Sequence, residues 1–349
     1  GDGLIIAFYS DATNLVADDT NGQSDVFVRL RSSATTERVS LGADGAQGNG
    51  PSLNPSINRD GNLVAFQSQA SNLVPNDHNG LADIFVHDRS GETTERVCDG
   101  IEPNGSSFAP SISANGRFVA FTSAATNLVP AVPDKNGHLD IFVCDRETGA
   151  IDIASISSDG SQGNGDSILP AISEDGRFVA FKSLASNLVP NDFNNLVDVF
   201  VRDREGQVTE RISESFSGGD SNDVSFPPSI SYDGRFVAFG SAANNIVRAD
   251  VNHVSSVFVR DRMFKLSLLV DVNALGQQAN AGTPDVPPSV SGDGKQIGYV
   301  SFASNLVVVP DRNGTSDVFI AGNPFFCPGG ICPDGLMCQN GMCVPEVVP

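Results

Sequence analysis

Tryptophan is absent from the 349-residue sequence, and methionine and tyrosine occur only three times each. Basic residues are also few, because 21 lysines and arginines stand against 42 acidic residues and give a formal net charge of −21. Phosphate groups are bound by clustered lysine and arginine, so this balance argues against nucleic acid or an anionic membrane as a partner. No run of about 18 apolar residues occurs, so no transmembrane segment is predicted.

Several catalytic signatures are missing as well. The sequence contains neither the G-x-S-x-G motif of serine hydrolases nor the H-E-x-x-H motif of zinc peptidases, and it has no phosphate-binding glycine loop. Three of the four histidines, His78, His138 and His253, lie in or beside acidic loops at positions where other copies of the loop have unrelated residues. These absences predict that the protein is not an enzyme.

What the sequence does contain is a long repeat. Its anchor is a D-G or N-G dipeptide, and neighbouring copies lie between 55 residues (Asp60 to Asn115) and 60 residues (Asn115 to Asp175) apart. The six anchors are Asp2, Asp60, Asn115, Asp175, Asp233 and Asp293. A regular period of this length is typical of architectures in which each unit packs on its neighbours.

The copies share one internal order, which the third shows clearly. A short strand at 110–113 precedes the N-G turn, and an apolar strand at 117–123 follows it. An acidic loop then leads to a third strand at 141–143, and a hairpin leads to a fourth. Four short strands joined by tight turns form one blade of a β-propeller, so the sequence predicts an all-β, six-bladed propeller of four-stranded antiparallel blades.

The repeated pattern, P-S-I-S-x-D-G-R-x-V-A-F followed by N-L-V-P-x-D-x-N-G-x-x-D-V-F-V-R-D-R, resembles the TolB-like group of WD-type (PD40-type) propeller repeats. The resemblance covers residues 1–323. Such repeats are common in secreted and periplasmic bacterial proteins, so the resemblance implies a six-bladed propeller in a secreted, extracellular or periplasmic protein. It implies no particular activity, because propellers carry many functions.

The two ends depart from the pattern. The first unit begins at its D-G turn and so lacks a first strand, and the sixth unit lacks a fourth strand. Residues 324–349 form a cysteine-rich tail. Either this tail fills one of the two strand positions, or residues outside the chain do. No signal-peptide pattern is present, so Gly1 is expected to be the start of a processed or trimmed chain.

Five copies contain the acidic loop D-x-N-G-x-x-D, with Asn195 in place of the glycine once. Oxygens at positions 1, 3 and 7 converge if the chain turns at position 4, and such hard ligands suit Ca²⁺. The predicted metal ligands are Asp19, Asn21, Asp25, Asp77, Asn79, Asp83, Asp134, Asn136, Asp140, Asp192, Asn194, Asp198, Asp311, Asn313 and Asp317. The competing interpretation is a hairpin turn whose aspartates cap backbone N–H groups. A hairpin, however, does not require two carboxylates that repel each other without a cation.

The fifth copy of the loop, Asp250 to Ser256, has lost both the glycine and the final aspartate. We therefore predict that blade 5 forms its strands but binds no metal.

Four of the six cysteines, Cys327, Cys332, Cys338 and Cys343, crowd into the tail. So short a segment cannot build a core, and the C-x₂-C spacing of zinc sites is absent, so two disulfides are favoured over zinc. The sequence alone allows three connectivities. The tail resembles small cysteine-rich modules of secreted proteins, which implies the pairs Cys327–Cys338 and Cys332–Cys343.

The other two cysteines, Cys98 and Cys144, fall in adjacent units. They form either a disulfide between blades or two unrelated small buried residues, and we favour the second interpretation. Two N-glycosylation sequons occur, at Asn104 and Asn313.

The leading functional hypothesis is a secreted, non-enzymatic propeller that acts as a structural or protein-binding scaffold stabilised by Ca²⁺. A first alternative is a subunit of an extracellular filament or surface assembly that self-associates by exchanging strands or tails. A second alternative is a propeller that binds or processes an extracellular glycan. This is the least favoured, because aromatic residues make up only 7% of the chain.

Overall fold

A computed structural model describes residues 3–132, 134–248, 250–307, 313–327, 330, 332–333 and 336–345. These residues form strands and turns, and none of them belongs to a helix that could cross a bilayer. The chain divides into two compact units, Gly1–Val179 and Ala180–Pro349. The prediction of an all-β, six-bladed propeller is confirmed.

Blades 1 to 3 lie in the first unit. Blade 1 has the strand order β1-β2-β3, with β1 (Ile5–Ser10), β2 (Asp25–Leu30) and β3 (Thr35–Arg38). Blade 2 has the order β4-β5-β6-β7, with β4 (Ser52–Ile57), β5 (Leu63–Ser68), β6 (Asp83–Asp88) and β7 (Thr93–Arg96). Blade 3 has the order β8-β9-β10-β11, with β8 (Ser107–Ile112), β9 (Phe118–Ser123), β10 (Asp140–Asp145) and β11 (Ala150–Ile153).

The later blades repeat this plan. Blade 4 consists of β12 (Ser167–Ile172), β13 (Phe178–Ser183), β14 (Asp198–Asp203) and β15 (Val208–Arg211). Blade 5 consists of β16 (Ser229–Ile230), β17 (Phe236–Ser241), β18 (Ser256–Asp261) and β19 (Leu266–Leu269). Blade 6 has only β20 (Ser289–Val290), β21 (Gln296–Ser301) and β22 (Asp317–Gly322). Blades 1 and 6 are three-stranded, as the sequence predicts.

A stacked pair of aromatic rings holds the second and third strand positions of each blade together. In blade 2, Phe66 of β5 lies opposite Phe85 of β6, and the two rings stack with centroids 6.0 Å apart. The equivalent pairs are Phe8–Phe27, Phe121–Phe142, Phe181–Phe200, Phe239–Phe258 and Tyr299–Phe319. Burial of each such ring contributes roughly 2 kcal/mol, so the repeated aromatic positions of the sequence mark the blade core.

Neighbouring blades pack with the valine face of one blade against the phenylalanine face of the next. Val26 and Val28 of β2 belong to one buried cluster with Val64 and Phe66 of blade 2. The anchor glycines allow the close approach of the blades: Gly116 has a φ of 76°, and a Cβ there would lie 2.3 Å from the Leu63 side chain. Glycine alone combines an easily adopted positive φ with the absence of a Cβ atom, which explains the D-G or N-G anchor.

Arginines after the third strand position join blades within each unit. In the first unit, Arg146 Nε lies 2.8 Å from Glu95 Oε1 of the preceding blade, and its Nη1 donates to the carbonyl of Gly116. In the second unit, Arg262 makes the same two contacts with Glu210 and the carbonyl of Gly234. Each arginine therefore connects a fourth strand to the anchor turn of the next blade.

A disulfide also joins two blades. Cys98, just after β7, is bonded to Cys144 of β10, with the two Cα atoms 6.1 Å apart. The interpretation of these cysteines as unrelated buried residues is therefore wrong. Their residues lie 46 positions apart in the chain, and sequence spacing alone does not show that blade packing brings them together.

The tail is a disulfide-bonded hairpin of β23 (Leu336–Gln339) and β24 (Met342–Pro345). Its bonds, Cys327–Cys338 and Cys332–Cys343, confirm the pairing that the resemblance implies. Phe325 is fully buried, and its ring lies 6.0 Å from that of Phe236 in blade 5. The hairpin is a sheet of its own, so it does not supply a fourth strand to blade 6. Residues 346–349 lie outside the described part of the chain.

We expect the double variant C98A/C144A to be less stable by about 2–4 kcal/mol, because the disulfide no longer restricts the unfolded chain. Circular dichroism during urea unfolding under non-reducing conditions measures this loss as a lower midpoint. The control is C327A/C338A, which opens a shorter loop of 11 residues instead of 46 and should lose less. A C98A/C144A midpoint equal to that of the wild type would contradict the expectation.

Candidate functional site: the acidic loops

The asparagine at the third position forms the turn of each acidic loop. In blade 3, Asn136 Oδ1 accepts a hydrogen bond of 2.8 Å from the backbone N–H of His138. Its Nδ2 donates to Asp140 Oδ2 at 2.8 Å and to the carbonyl of Gly163 at 3.0 Å. The same Asx turn is formed by Asn21, Asn79, Asn194 and Asn313. These amides close the loop, and their role as metal ligands stays a prediction.

The final aspartate of the loop is the first residue of the third strand position, and it is buried in blades 1 to 4. Asp140 accepts a hydrogen bond of 2.5 Å from Ser155 on Oδ1, while Oδ2 faces Asn136. Burial raises the pKa of Asp140 to about 6, although the bonds from Ser155 and Asn136 oppose that shift. The equivalent serine bonds are Ser40 to Asp25 and Ser213 to Asp198.

In blade 2 a cysteine occupies the place of this serine. Cys98 carries a sulfur in place of the serine hydroxyl, and its bond to Cys144 leaves no S–H to donate, so Asp83 Oδ1 is buried without a hydrogen-bond partner. Burial raises the pKa of Asp83 to about 6, against the lowering effect of Asn79. The acidic loop of blade 2 therefore lacks the serine hydrogen bond that blades 1, 3 and 4 have.

An arginine lies between the two aspartates in blades 1, 2 and 4. Arg211 ends β15, and its Nη1 lies 3.2 Å from Asp192 Oδ1 and 3.7 Å from Asp198 Oδ2. The contact with Asp192 is an ion pair without an aligned hydrogen bond. Equivalent ion pairs join Arg38 to Asp19 (3.2 Å) and Asp25 (3.1 Å), and Arg96 to Asp77 (4.0 Å) and Asp83 (3.8 Å). In these three blades a guanidinium group therefore supplies a positive charge beside the aspartates, a role that the sequence analysis assigned to Ca²⁺.

Sequence reasoning missed these arginines, although the signal is present. Each is the last residue of a T-E-R segment and pairs in register with the central phenylalanine of the strand before it, as Arg211 does with Phe200. The register of a short hairpin therefore determines that the arginine lies beside the loop.

Blades 3 and 6 have no such arginine among the described residues. In blade 3 the position belongs to the buried Ile153, and Asp134 Oδ2 is buried without a hydrogen-bond partner. In blade 6, Asn313 donates to Asp317 at 3.1 Å, while Asp311 lies outside the described residues. Calcium binding at these loops stays a prediction.

The two sequon asparagines lie at the surface. Asn104 is exposed, and its Nδ2 donates to Thr126 Oγ1 at 2.9 Å. Asn313 is also exposed, but its amide is engaged with Asp317. Glycosylation of either residue stays a prediction.

No family model matches the sequence, and no curated protein matches it significantly. Solved structures do match. TolB of Acinetobacter baumannii is 16% identical with a TM-score of 0.51, over 90% of this chain and 60% of that protein. An oligogalacturonate lyase solved with manganese is 12% identical with a TM-score of 0.51, over 90% of this chain and 73% of the lyase. An acylaminoacyl peptidase is 11% identical with a TM-score of 0.52, over 97% of this chain and 47% of the peptidase.

At these identities the likeness shows the fold alone, and it confirms the resemblance to TolB-like propellers at that level. The chain spans about 60% of the length of TolB. The prediction that the protein is not an enzyme is wrong, because propeller-containing enzymes, the lyase and the peptidase, are among the similar structures. Short missing motifs do not exclude an activity whose residues meet only in the folded chain.

We expect R211M to be less stable by about 3 kcal/mol, because Asp192 and Asp198 then remain buried without a countercharge. The midpoint of urea unfolding at neutral pH measures the loss. The control is R59M, since Arg59 pairs with Glu174 at a surface position where its side chain is 59% exposed. Such a pair contributes less than about 1 kcal/mol. Equal midpoints for the two variants would contradict a special role for Arg211.

Proposed function

We propose that the chain is a protein-binding propeller that works outside the cytoplasm and binds a second copy of itself through the outer face of blade 6. One observation carries this proposal. Val318 and Ile320 of β22 are 78% and 75% exposed, although they belong to the repeated D-V-F-V strand that is buried elsewhere. Two adjacent branched apolar side chains on one strand face form a surface that a partner can cover.

The equivalent residues of earlier blades are covered by the blade that follows them. Val257 and Val259 of β18 are at most 1% exposed and share a buried cluster with Ile297 and Tyr299 of blade 6. Ile84 and Val86 share a cluster with blade 3 in the same way, and Val26 and Val28 with blade 2. The face of β22 is thus suited to another blade of this same kind.

Blade 1 exposes the complementary half of that interface. Ile6 of β1 is 45% exposed, whereas Val64, its equivalent in blade 2, is fully buried against the preceding blade. A second copy therefore offers the surface that the face of β22 requires. Contact between blade 6 of one copy and blade 1 of another would be heterologous and could continue from copy to copy.

The outer edge of blade 6 supports the same proposal. The sheet ends at β22, and no strand among the described residues pairs with its outer edge. An open edge offers backbone N–H and C=O groups to an added strand. The tail is less suited to exchange, because Cys343 of β24 is bonded to Cys332 and β24 is paired with β23. Packing of a whole blade is therefore favoured over exchange of the tail.

Location outside the cytoplasm rests on the disulfides. All six cysteines are bonded, and such bonds persist in oxidising compartments. Secretion to the medium or retention in a periplasm would both satisfy this chemistry.

Sedimentation velocity of the full chain over a range of concentrations tests the proposal. We expect reversible self-association in the wild type and at least a tenfold weaker association in V318K/I320K, because two apolar side chains worth roughly 2 kcal/mol each would no longer be buried. The matched control is L275K, since Leu275 is 83% exposed on a turn outside the strand face. It should associate like the wild type.

A wild type that stays monomeric at all concentrations would contradict the proposal. So would equal association of V318K/I320K and the wild type. A disulfide crosslink between V318C and I6C that forms only within single chains would identify the same chain, and not a second copy, as the occupant of the face.

A further inference from the structure

In blade 5 the acid of the loop has moved to a neighbouring strand. The loop ends in Ser256, where other blades have aspartate, and Asp271 follows β19 at the position of Ser155 in blade 3 and Ser213 in blade 4. The backbone register is unchanged: the N–H of Val270 donates to the carbonyl of Val257 at 2.8 Å, as Ile212 does to Val199 at 2.7 Å. The serine and the aspartate have therefore exchanged places across two paired strands.

Both acids of blade 5 are buried and without partners. Asp250 is 7% exposed and Asp271 is 1% exposed, and none of their four carboxylate oxygens has a hydrogen-bond partner. In blade 3, by contrast, both oxygens of Asp140 accept hydrogen bonds. Blade 5 thus has the largest set of unsatisfied carboxylate oxygens among the described loops.

No guanidinium group compensates these charges. The position of Arg211 in blade 4 is occupied by Leu269 in blade 5. The side-chain amide of Asn252 donates to Ser256 Oγ at 3.3 Å and to the carbonyl of Ala279 at 3.0 Å, and neither of these bonds is made to Asp250 or Asp271. Among the described residues, no ion pair reaches Asp250 or Asp271.

Two unpaired buried carboxylates are unfavourable unless they take up protons or bind a cation. Burial raises the pKa of Asp271 to about 7, weak contacts with Val257 and Ser256 oppose the shift, and the charge of Asp250 adds to it. Protonation of the two carboxylates is therefore the competing explanation of how their charge is neutralised. It predicts that the pair does not bind metal ions.

We propose that Asp250 and Asp271 form a divalent-cation site in blade 5, with Ca²⁺ as its ligand. Two carboxylates offer up to four hard oxygens, and Ca²⁺ accepts mono- or bidentate carboxylates in a flexible shell that water completes. Mg²⁺ requires a stricter octahedral arrangement and holds its water more tightly. The cation would supply in blade 5 the positive charge that Arg38, Arg96 and Arg211 supply in their blades. This proposal departs from the sequence-based prediction that blade 5 binds no metal.

The decisive variant is L269R, which introduces a guanidinium group at the position where three sister blades already carry one. Calorimetric titration of CaCl₂ into the metal-free full chain counts bound ions. We expect L269R to bind one ion fewer per chain than the wild type. We also expect its thermal midpoint without calcium to be no lower than that of the metal-free wild type, because the arginine neutralises the acids.

A second variant, D271N, tests the effect of the carboxylate charge without a change in side-chain size. D271N keeps the shape of the side chain but removes a ligand charge, so it should also bind one ion fewer, or bind that ion at least tenfold more weakly. The matched control is D285N, since Asp285 lies outside the acidic loops and pairs with Lys182 at the surface, and it should bind as many ions as the wild type. A parallel titration with MgCl₂ should give weaker binding at the blade 5 site.

Two results would overturn the proposal. One is a wild type that binds no Ca²⁺ at millimolar concentration, which would leave protonation as the way in which the acids are neutralised. The other is an L269R variant that binds as many ions as the wild type, which would place all bound calcium elsewhere.

Discussion

Burial of the central strand of each blade on both faces is the constraint on which the propeller depends. One face of β6 carries Phe85, which stacks within its own blade, while Ile84 and Val86 on the other face need the next blade to cover them. A single blade therefore cannot bury its own apolar surface. The glycine anchors and the arginine–glutamate pairs then hold neighbouring blades close enough for this packing. Val318 and Ile320 of blade 6 are equivalent to Ile84 and Val86 of β6, but no following blade among the described residues covers them, and they are exposed.

A second constraint is charge. In blades 1 to 4 the acidic loop places an aspartate at the buried start of a strand, and a buried charge has to be neutralised or heavily hydrogen-bonded. The chain contains several solutions side by side. Blade 3 relies on hydrogen bonds from Ser155 and Asn136, and blade 4 adds the guanidinium group of Arg211. These two blades have the same strand arrangement, so the difference in how their aspartates are neutralised comes from the side chains.

Repeat length, turn residues and strand pattern were enough to predict the blades, the short first and last sheets and the acidic loops, because these features are local in the chain. The contacts that escaped prediction join residues that are not neighbours in sequence and meet through blade packing or strand register. The bond between Cys98 and Cys144 depends on how two blades pack, and the place of Arg211 beside Asp192 depends on hairpin register. An enzymatic activity is non-local in the same way, which is why missing motifs did not exclude one.

The exchange of Ser256 and Asp271 separates two roles that the other loops combine. Asn252 still forms its turn by accepting the N–H of Val254, so the turn does not need an acid at the end of the loop. The strands also keep their register, so strand formation does not need it either. Yet an acid, Asp271, lies beside the loop after the paired strand and is buried, where its charge is unfavourable unless it is neutralised. Neither the turn nor the strands require this acid, and a bound cation would neutralise the unpartnered carboxylate oxygens of Asp250 and Asp271.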